Sequence, residues 1–115
     1  MQHNFCLTKQ NILSKEEITK VFDNVETKIS SDHFTFLIGG RLKTEAGFCA
    51  ILAKKNIRKA TKRNLCRRLL KEAFRINKEF LKYKGLVVLS KKPADKASKE
   101  ELWQSIQKFQ QFLQE

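Results

Sequence analysis

Between Ala53 and Arg75 the chain reads AKKNIRKATKRNLCRRLLKEAFR, with ten Lys or Arg residues (Lys54, Lys55, Arg58, Lys59, Lys62, Arg63, Arg67, Arg68, Lys71, Arg75) against one acid, Glu72. Wound at about 100° per residue, the second half of this stretch separates into two faces. Cys66, Leu69, Leu70, Ala73, Phe74, Ile76 and Phe80 fall on one arc, and Asn64, Arg67, Arg68, Lys71 and Arg75 on roughly the opposite one. A helix of this kind docks its apolar arc on a fold and turns a ladder of cations outward. A solvated charged face normally mixes signs at i,i+4 spacing, and this one barely does. The pattern therefore reads as an electrostatic footprint for nucleic acid.

Composition agrees. The 115 residues make one domain with a real core, and a hydrophobic fraction of 41% is that of a globular protein. The net charge of +12 points to a polyanionic partner. An acidic membrane surface would also attract such a chain, but no stretch approaches the ~20 apolar residues of a span. The start, MQHNFCLTKQN, has neither a basic n-region nor an apolar h-region, so a cytosolic protein without a secretory signal is expected. Residues 1–12 read as a flexible tail. Cys6, Cys49 and Cys66 form no CxxC pair, and His3 and His33 stand apart from them. Zinc sites need closely spaced ligands, so no structural metal is expected, and Cys49 and Cys66 read as core thiols.

Ser14-Lys-Glu-Glu17 is a capping box, with Leu13 and Ile18 at the spacing of a hydrophobic staple. It predicts a helix from Lys15 to Asp23. Thr27 to Ser30 is a short strand. His33 to Leu42 alternates as a strand, with Phe34, Phe36 and Ile38 on one face, Thr35 and Leu37 on the other, and a bulge or bend at Gly39-Gly40. Thr44 to Gly47 is a turn, and Phe48 to Ala53 an apolar strand that runs straight into Lys54-Lys55. A loop over Asn56 to Ala60 then leads to the basic helix, from Thr61 to Leu81. Leu86 to Ser90 is a strand apolar on both faces, as inside a covered sheet. Ser98-Lys-Glu-Glu101 is a second capping box, opening a terminal helix striped with Leu102, Ile106, Phe109 and Leu113. The order predicts an α+β fold, a two-layer sandwich with one open sheet face.

These residues resemble a known family. The AKK-to-AFR segment is similar to the signature of the bacterial ribonuclease P protein component: a strand ending in AKK or SKK, a loop, then an Arg-Asn-Arg helix ending in REAFR-like residues. Downstream, GLVVLSKKPADKASKEELWQSIQKF is similar to the family's last strand, basic-Pro connection and terminal helix. Upstream, LSKEEITKVF is similar to its first helix. The likeness runs over roughly residues 11–113. It implies an αβββαβα fold in which the basic helix joins two parallel strands by a left-handed crossover, against the usual hand. It also implies partners and chemistry. The protein binds the catalytic RNA of ribonuclease P, and its cleft holds the single-stranded 5′ leader of precursor tRNA. Hydrolysis is carried out by the RNA with Mg²⁺, and no cofactor is bound by protein side chains. No obligate protein partner is evident.

Two positions depart from the family pattern. Leu65 stands at the third position of Arg-Asn-Arg, so one cation is missing there. Ile18 stands where an aromatic is usual, leaving Phe22 alone of the pair four residues apart.

The chemistry divides the candidate residues. Lys54, Lys55, Arg58, Lys59, Lys62, Arg63, Arg67, Arg68, Lys71 and Arg75 neutralise phosphates, which gives affinity without sequence information. Asn64 either reads a base edge or a 2′-hydroxyl, or bonds its own loop near the helix start. Single-strand binding also wants a stacking platform, for which Phe22, Phe34 and Phe36 are candidates with a core role as the alternative; Ile18, Phe22 and Phe36 are the leader-cleft candidates. No paired carboxylates suit a two-metal nuclease, and no His has a partner for general acid–base work. The alternatives are a basic structural ribosomal protein that binds rRNA and a basic DNA-binding module. The second lacks a preceding helix at helix-turn-helix spacing. Preference for ribonuclease P RNA and precursor tRNA over rRNA separates the first.

Overall fold

The computed structural model of the chain describes residues 11–42 and 44–114. Its elements are α1 (Lys15–Asp23), β1 (Thr27–Ser30), β2 (Phe34–Gly40), β3 (Gly47–Ile51), α2 (Ala60–Ile76), β4 (Lys84–Ser90) and α3 (Lys99–Gln114), with short 3₁₀ turns at Lys78–Leu81 and Lys92–Asp95. This is the expected αβββαβα order. The sheet runs β1-β2-β4-β3. The β1/β2 and β2/β4 pairs are antiparallel, and β3/β4 is parallel. Parallel neighbours cannot be joined by a hairpin, and α2 is the crossover between them. His3 and Cys6 lie outside the described residues, as does the expected tail over 1–10. Asn11 and Ile12 are not tail: the Asn11 amide is buried and donates to the Ala46 carbonyl at 2.7 Å, and Ile12 bridges to Phe48.

Strand alternation sends Phe34, Phe36, Ile38, Phe48, Leu86 and Val88 to one side of the sheet, where they meet Cys66, Leu70, Ala73 and Phe74 of α2 and Leu102, Ile106 and Phe109 of α3. Phe36 stacks on Phe109 with ring centroids 4.3 Å apart and planes 6° from parallel. Phe48 stacks on Phe74 at 5.1 Å, fixing α2 to β3. Ring pairs in these geometries add stability beyond the area they bury. The basic helix ends five residues earlier than its periodicity suggests. Asn77 caps it, buried, with its side-chain amide donating to Ala73 O at 2.8 Å and its oxygen accepting from Gln114 of α3 at 3.2 Å. Ile76 and Phe80, expected on the apolar arc, are consequently 46% and 54% exposed.

The opposite sheet face is not fully open, because α1 lies over part of it. Val21 and Leu13 pack there on Leu37 and Val87, with Ile18, Cys49 and Leu89 around them. Glycines let the helix come this close. Gly39, Gly85 and Gly47 sit side by side across β2, β4 and β3. A Cβ on Gly39 would stand 3.1 Å from the Val21 Cα, and one on Gly47 only 2.2 Å from Leu13 Cδ2. No bend occurs at Gly39-Gly40: the pairing with β4 continues unbroken to Gly40↔Lys84. The glycines serve close approach, not curvature.

Arg41 locks the same region. Its side chain is 1% exposed, and its Nε donates to Glu17 Oε2 at 2.6 Å. Its Nη1 donates to Glu45 O at 2.9 Å. Glu17 is also the third residue of α1 and closes its capping box, accepting from Ser14 N at 3.0 Å. One carboxylate thus caps a helix and neutralises a buried guanidinium.

Candidate nucleic-acid interface

Because α1 sits over the glycine row near the start of β4, the sheet face beyond it is left as a trough toward the C-terminal ends of β3 and β4. Thr35, Cys49 and Leu89 are half-buried in its floor and Ile51 is exposed. Residues directly opposite in a sheet share a face. The pairs Lys28↔Leu37 and Ser30↔Thr35 therefore put Lys28 and Ser30 on this side too, and both are exposed. On α1, Lys20 and Asn24 line a separate groove with Leu42 and Tyr83. Ile18 and Phe22, on the other flank of the helix, form the trough wall. Phe22 is 44% exposed.

Phe36 is not part of this trough. It is 1% exposed, on the opposite sheet face and sandwiched against Phe109. The alternation of β2 separates Phe36 from Leu37 correctly, but both faces of the strand are apolar, so the pattern alone does not say which one stays open.

α2 packs on the covered face of the sheet. The Arg67 guanidinium lies near enough to Cys49 to oppose the effect of burial, which pushes the Cys49 thiol up. It opposes the same effect at Cys66, which is wholly buried in the core and where Lys62 contributes more. Arg68 and Lys71 are exposed on the outer face, as are Lys54, Lys55, Arg58 and Lys59 in the loop before it.

Several of the cations also bond groups of the protein itself. Arg63 folds back over the loop, donating from Nη1 to Ile57 O at 2.9 Å and Arg58 O at 3.0 Å. Lys62 donates to Ala97 O, at the approach to α3. Arg75 Nε donates to Glu72 Oε1 at 3.1 Å, and this hydrogen bond holds the Glu72 carboxyl below the usual range. Arg58 pairs with Asp95 at 3.3 Å. The Asn64 amide does not bond the loop; it is exposed, and its oxygen accepts from Arg67 at 3.4 Å. Leu65 is half-buried against the main core.

His33 is not isolated in space: Nδ1 lies 2.5 Å from Ser105 Oγ, tying the β1–β2 turn to α3. Among the described residues no three His, Cys, Asp or Glu side chains gather as metal ligands, and no helix is long and apolar enough to cross a membrane.

Some of this surface escapes the sequence reading. Thr35, Lys28, Cys49 and Leu89 in the trough require knowledge of which face α1 leaves bare. Lys91, Lys92 and Lys96 follow β4 as Lys54 and Lys55 follow β3. The repeated signal of an apolar strand ending in two lysines, AKK and SKK, was available to place both loops at one end of a parallel pair.

A family model described as Ribonuclease P matches residues 7–114. The chain belongs to the ribonuclease P protein family. It is 32% identical over 93 residues to the ribonuclease P protein component of Saccharophagus degradans, covering 81% of this chain and 69% of that one. It is 33% identical over 97 residues to that of Vibrio campbellii, covering 84% and 81%. The fold is that of the Staphylococcus aureus RNase P protein, with a TM-score of 0.75 at 16% identity over 88% of this chain and 92% of that one. The Thermotoga maritima RNase P protein superposes with a TM-score of 0.69 at 21% identity, over 89% and 94%. Membership sets aside the ribosomal and DNA-binding alternatives.

Proposed function

We propose that this chain is the protein subunit of a ribonuclease P in which the RNA carries the chemistry. The subunit binds the catalytic RNA through the outer face of α2 and the loop before it. It holds the 5′ leader of precursor tRNA in the trough beside α1, and so promotes removal of the leader to give the mature 5′ end. The observation that carries this reading is two unlike surfaces: a half-bare apolar sheet face with the exposed Phe22 beside it, and a helix whose Arg67 is near enough to act on Cys49 of that face while Arg68 and Lys71 are exposed. Stacking on an aromatic combined with a cationic track is how single strands are held without base reading. Double-helical or structured RNA is met through phosphates and 2′-hydroxyls, to which Asn64 adds a donor and an acceptor. Mg²⁺ acts with the RNA subunit, and the cationic face lowers the Mg²⁺ the complex needs by neutralising phosphates itself.

The test is reconstitution. Purified protein added to a bacterial ribonuclease P RNA should stimulate cleavage of precursor tRNA at low Mg²⁺, and the protein alone should cleave nothing. Absence of stimulation, or cleavage by nuclease-clean protein without RNA, would overturn the proposal.

A further inference from the structure

The parallel pairing of β3 and β4 brings the loop after β3 and the connection after β4 to the same end of the sheet, and the two are bonded together there. Asn56 Nδ2 donates to Ser90 O at 2.9 Å. The Arg58 backbone N–H donates to Asp95 Oδ1 at 3.1 Å, and its Nε donates to Oδ2 at 3.3 Å. The second loop is a 3₁₀ turn with Pro93 at its start, pinned by Ala94 and Ala97, which are buried in the main core. The result is a pair of adjoining open depressions lined by Lys55, Arg58, Lys59, Lys62, Lys92 and Lys96. One carboxylate, Asp95, sits among these six cations, and its contacts with Arg58, the backbone N–H first, hold it below the usual range so that it stays charged.

The position of these depressions separates them from the trough. Thr61 and Leu65 of α2 line one of them, on the flank of the helix opposite Arg67, which acts on Cys49 of the trough floor. Leu65 interrupts the cations of α2 here, and Lys96 lines the same depression.

We propose that Lys92 and Lys96 extend the phosphate-binding surface of Arg58 and Lys59 in the loop before α2, so that the connection after β4 also takes the backbone of the RNA subunit and not the leader of precursor tRNA. This rests on the ribonuclease P reading above. A cationic surface held by hydrogen bonds between its two loops suits folded RNA, whose backbone presents phosphates at fixed spacing. It offers no aromatic on which an unpaired base could stack.

The test uses the full chain and a bacterial ribonuclease P RNA. In the double variant Lys92→Ala, Lys96→Ala, affinity for the RNA should fall, and the slope of log K against log salt should flatten by about 0.7–0.9 for each phosphate no longer neutralised. The unfolding midpoint should not move, because both side chains are exposed. The ratio of precursor to mature tRNA affinity in the holoenzyme should also stay as it is. In the wild-type chain, Lys92 and Lys96 should become protected from acetylation when the RNA is bound, while Lys82 keeps its reactivity. Unchanged affinity and slope with unprotected Lys92 and Lys96 would overturn the inference while leaving the ribonuclease P reading intact. A change in the precursor-to-mature ratio would move these lysines to the leader and overturn it as well. Failure of the wild-type chain to bind the RNA would instead defeat the reading on which it rests.

Discussion

On one side of the sheet, Phe34, Phe36, Phe48, Leu86 and Val88 lie beneath two helices of 17 and 16 residues; on the other, Leu37, Cys49, Val87 and Leu89 have only the nine residues of α1 to cover them. The strands are apolar on both sides, so the difference does not come from strand composition. It comes from helix length and from the glycine row, which seats α1 at one end and leaves the other bare. The covered face supplies cohesion. The half-bare face leaves apolar surface and a ring exposed at a cost in stability, which is what a site that accepts a ligand must do.

Substitutions can break or sharpen this contrast. The largest effect belongs to the covered face: Phe36→Ala should cost about 3–5 kcal/mol of folding stability, read by denaturant unfolding, with losses for precursor and mature tRNA that track the unfolded fraction. A selective loss for precursor tRNA would return Phe36 to the trough.

Next come the two capping boxes, both written Ser-Lys-Glu-Glu. Glu17→Ala takes from the buried Arg41 guanidinium the carboxylate it is bonded to and should cost about 3–5 kcal/mol. Glu101, fully exposed, closes its cap without a buried ion pair. Its carboxyl is held below the usual range by the Ser98 backbone N–H, and its removal should lower the unfolding midpoint far less than removal of Glu17. Equal losses would mean that the Arg41 ion pair contributes nothing.

Gly39→Ala should cost about 1–3 kcal/mol by overpacking against α1. An unchanged unfolding midpoint would show that α1 can lift from the sheet without penalty.

The outer face of α2 should behave differently from both sheet faces. Arg68→Ala with Lys71→Ala should leave stability unchanged and flatten the salt dependence of RNA binding by about 0.7–0.9 per phosphate released. If neither the slope nor the affinity moved, the outer row would be merely solvated.

The smallest effect is on pH. Glu72 and Glu101, both depressed, contribute stability that is present above their unfolded pKa values and lost as pH falls through the folded ones. A shallow decline of the midpoint below the ordinary carboxylate range should appear, and it should be reduced in Glu101→Gln.

Periodicity and caps carried most of the architecture. The starts of α1 and α3 follow from two capping boxes, and the apolar arc of α2 from Cys66 to Phe74 is the one that meets the sheet. What stayed hidden depends on contacts distant in sequence. Asn77 stops α2 because its side chain satisfies Ala73 O and Gln114 of α3, a partner 37 residues away that leaves no local signal. The glycines read as a bend because nothing nearby in sequence announces that Val21 will lie on them. Arg63 and Lys62 belong to the same cationic run as Arg68, yet they bond backbone carbonyls, and a charge pattern does not distinguish a cation that closes a loop from one that faces outward. Ile18 and Phe22, four residues apart on one helix flank, were legible as a pair because their spacing is local.

The central claim is that the half-bare face beside α1 receives the leader, and Phe22→Ala in the reconstituted holoenzyme tests it most directly. With Phe22 at the trough wall and 44% exposed, the substitution should weaken binding of precursor tRNA by about 1–3 kcal/mol, the range for one base–aromatic contact. It should leave mature tRNA binding and the unfolding midpoint nearly unchanged. Equal losses for the two tRNAs, accompanied by a lowered midpoint, would contradict the account and make Phe22 a packing residue.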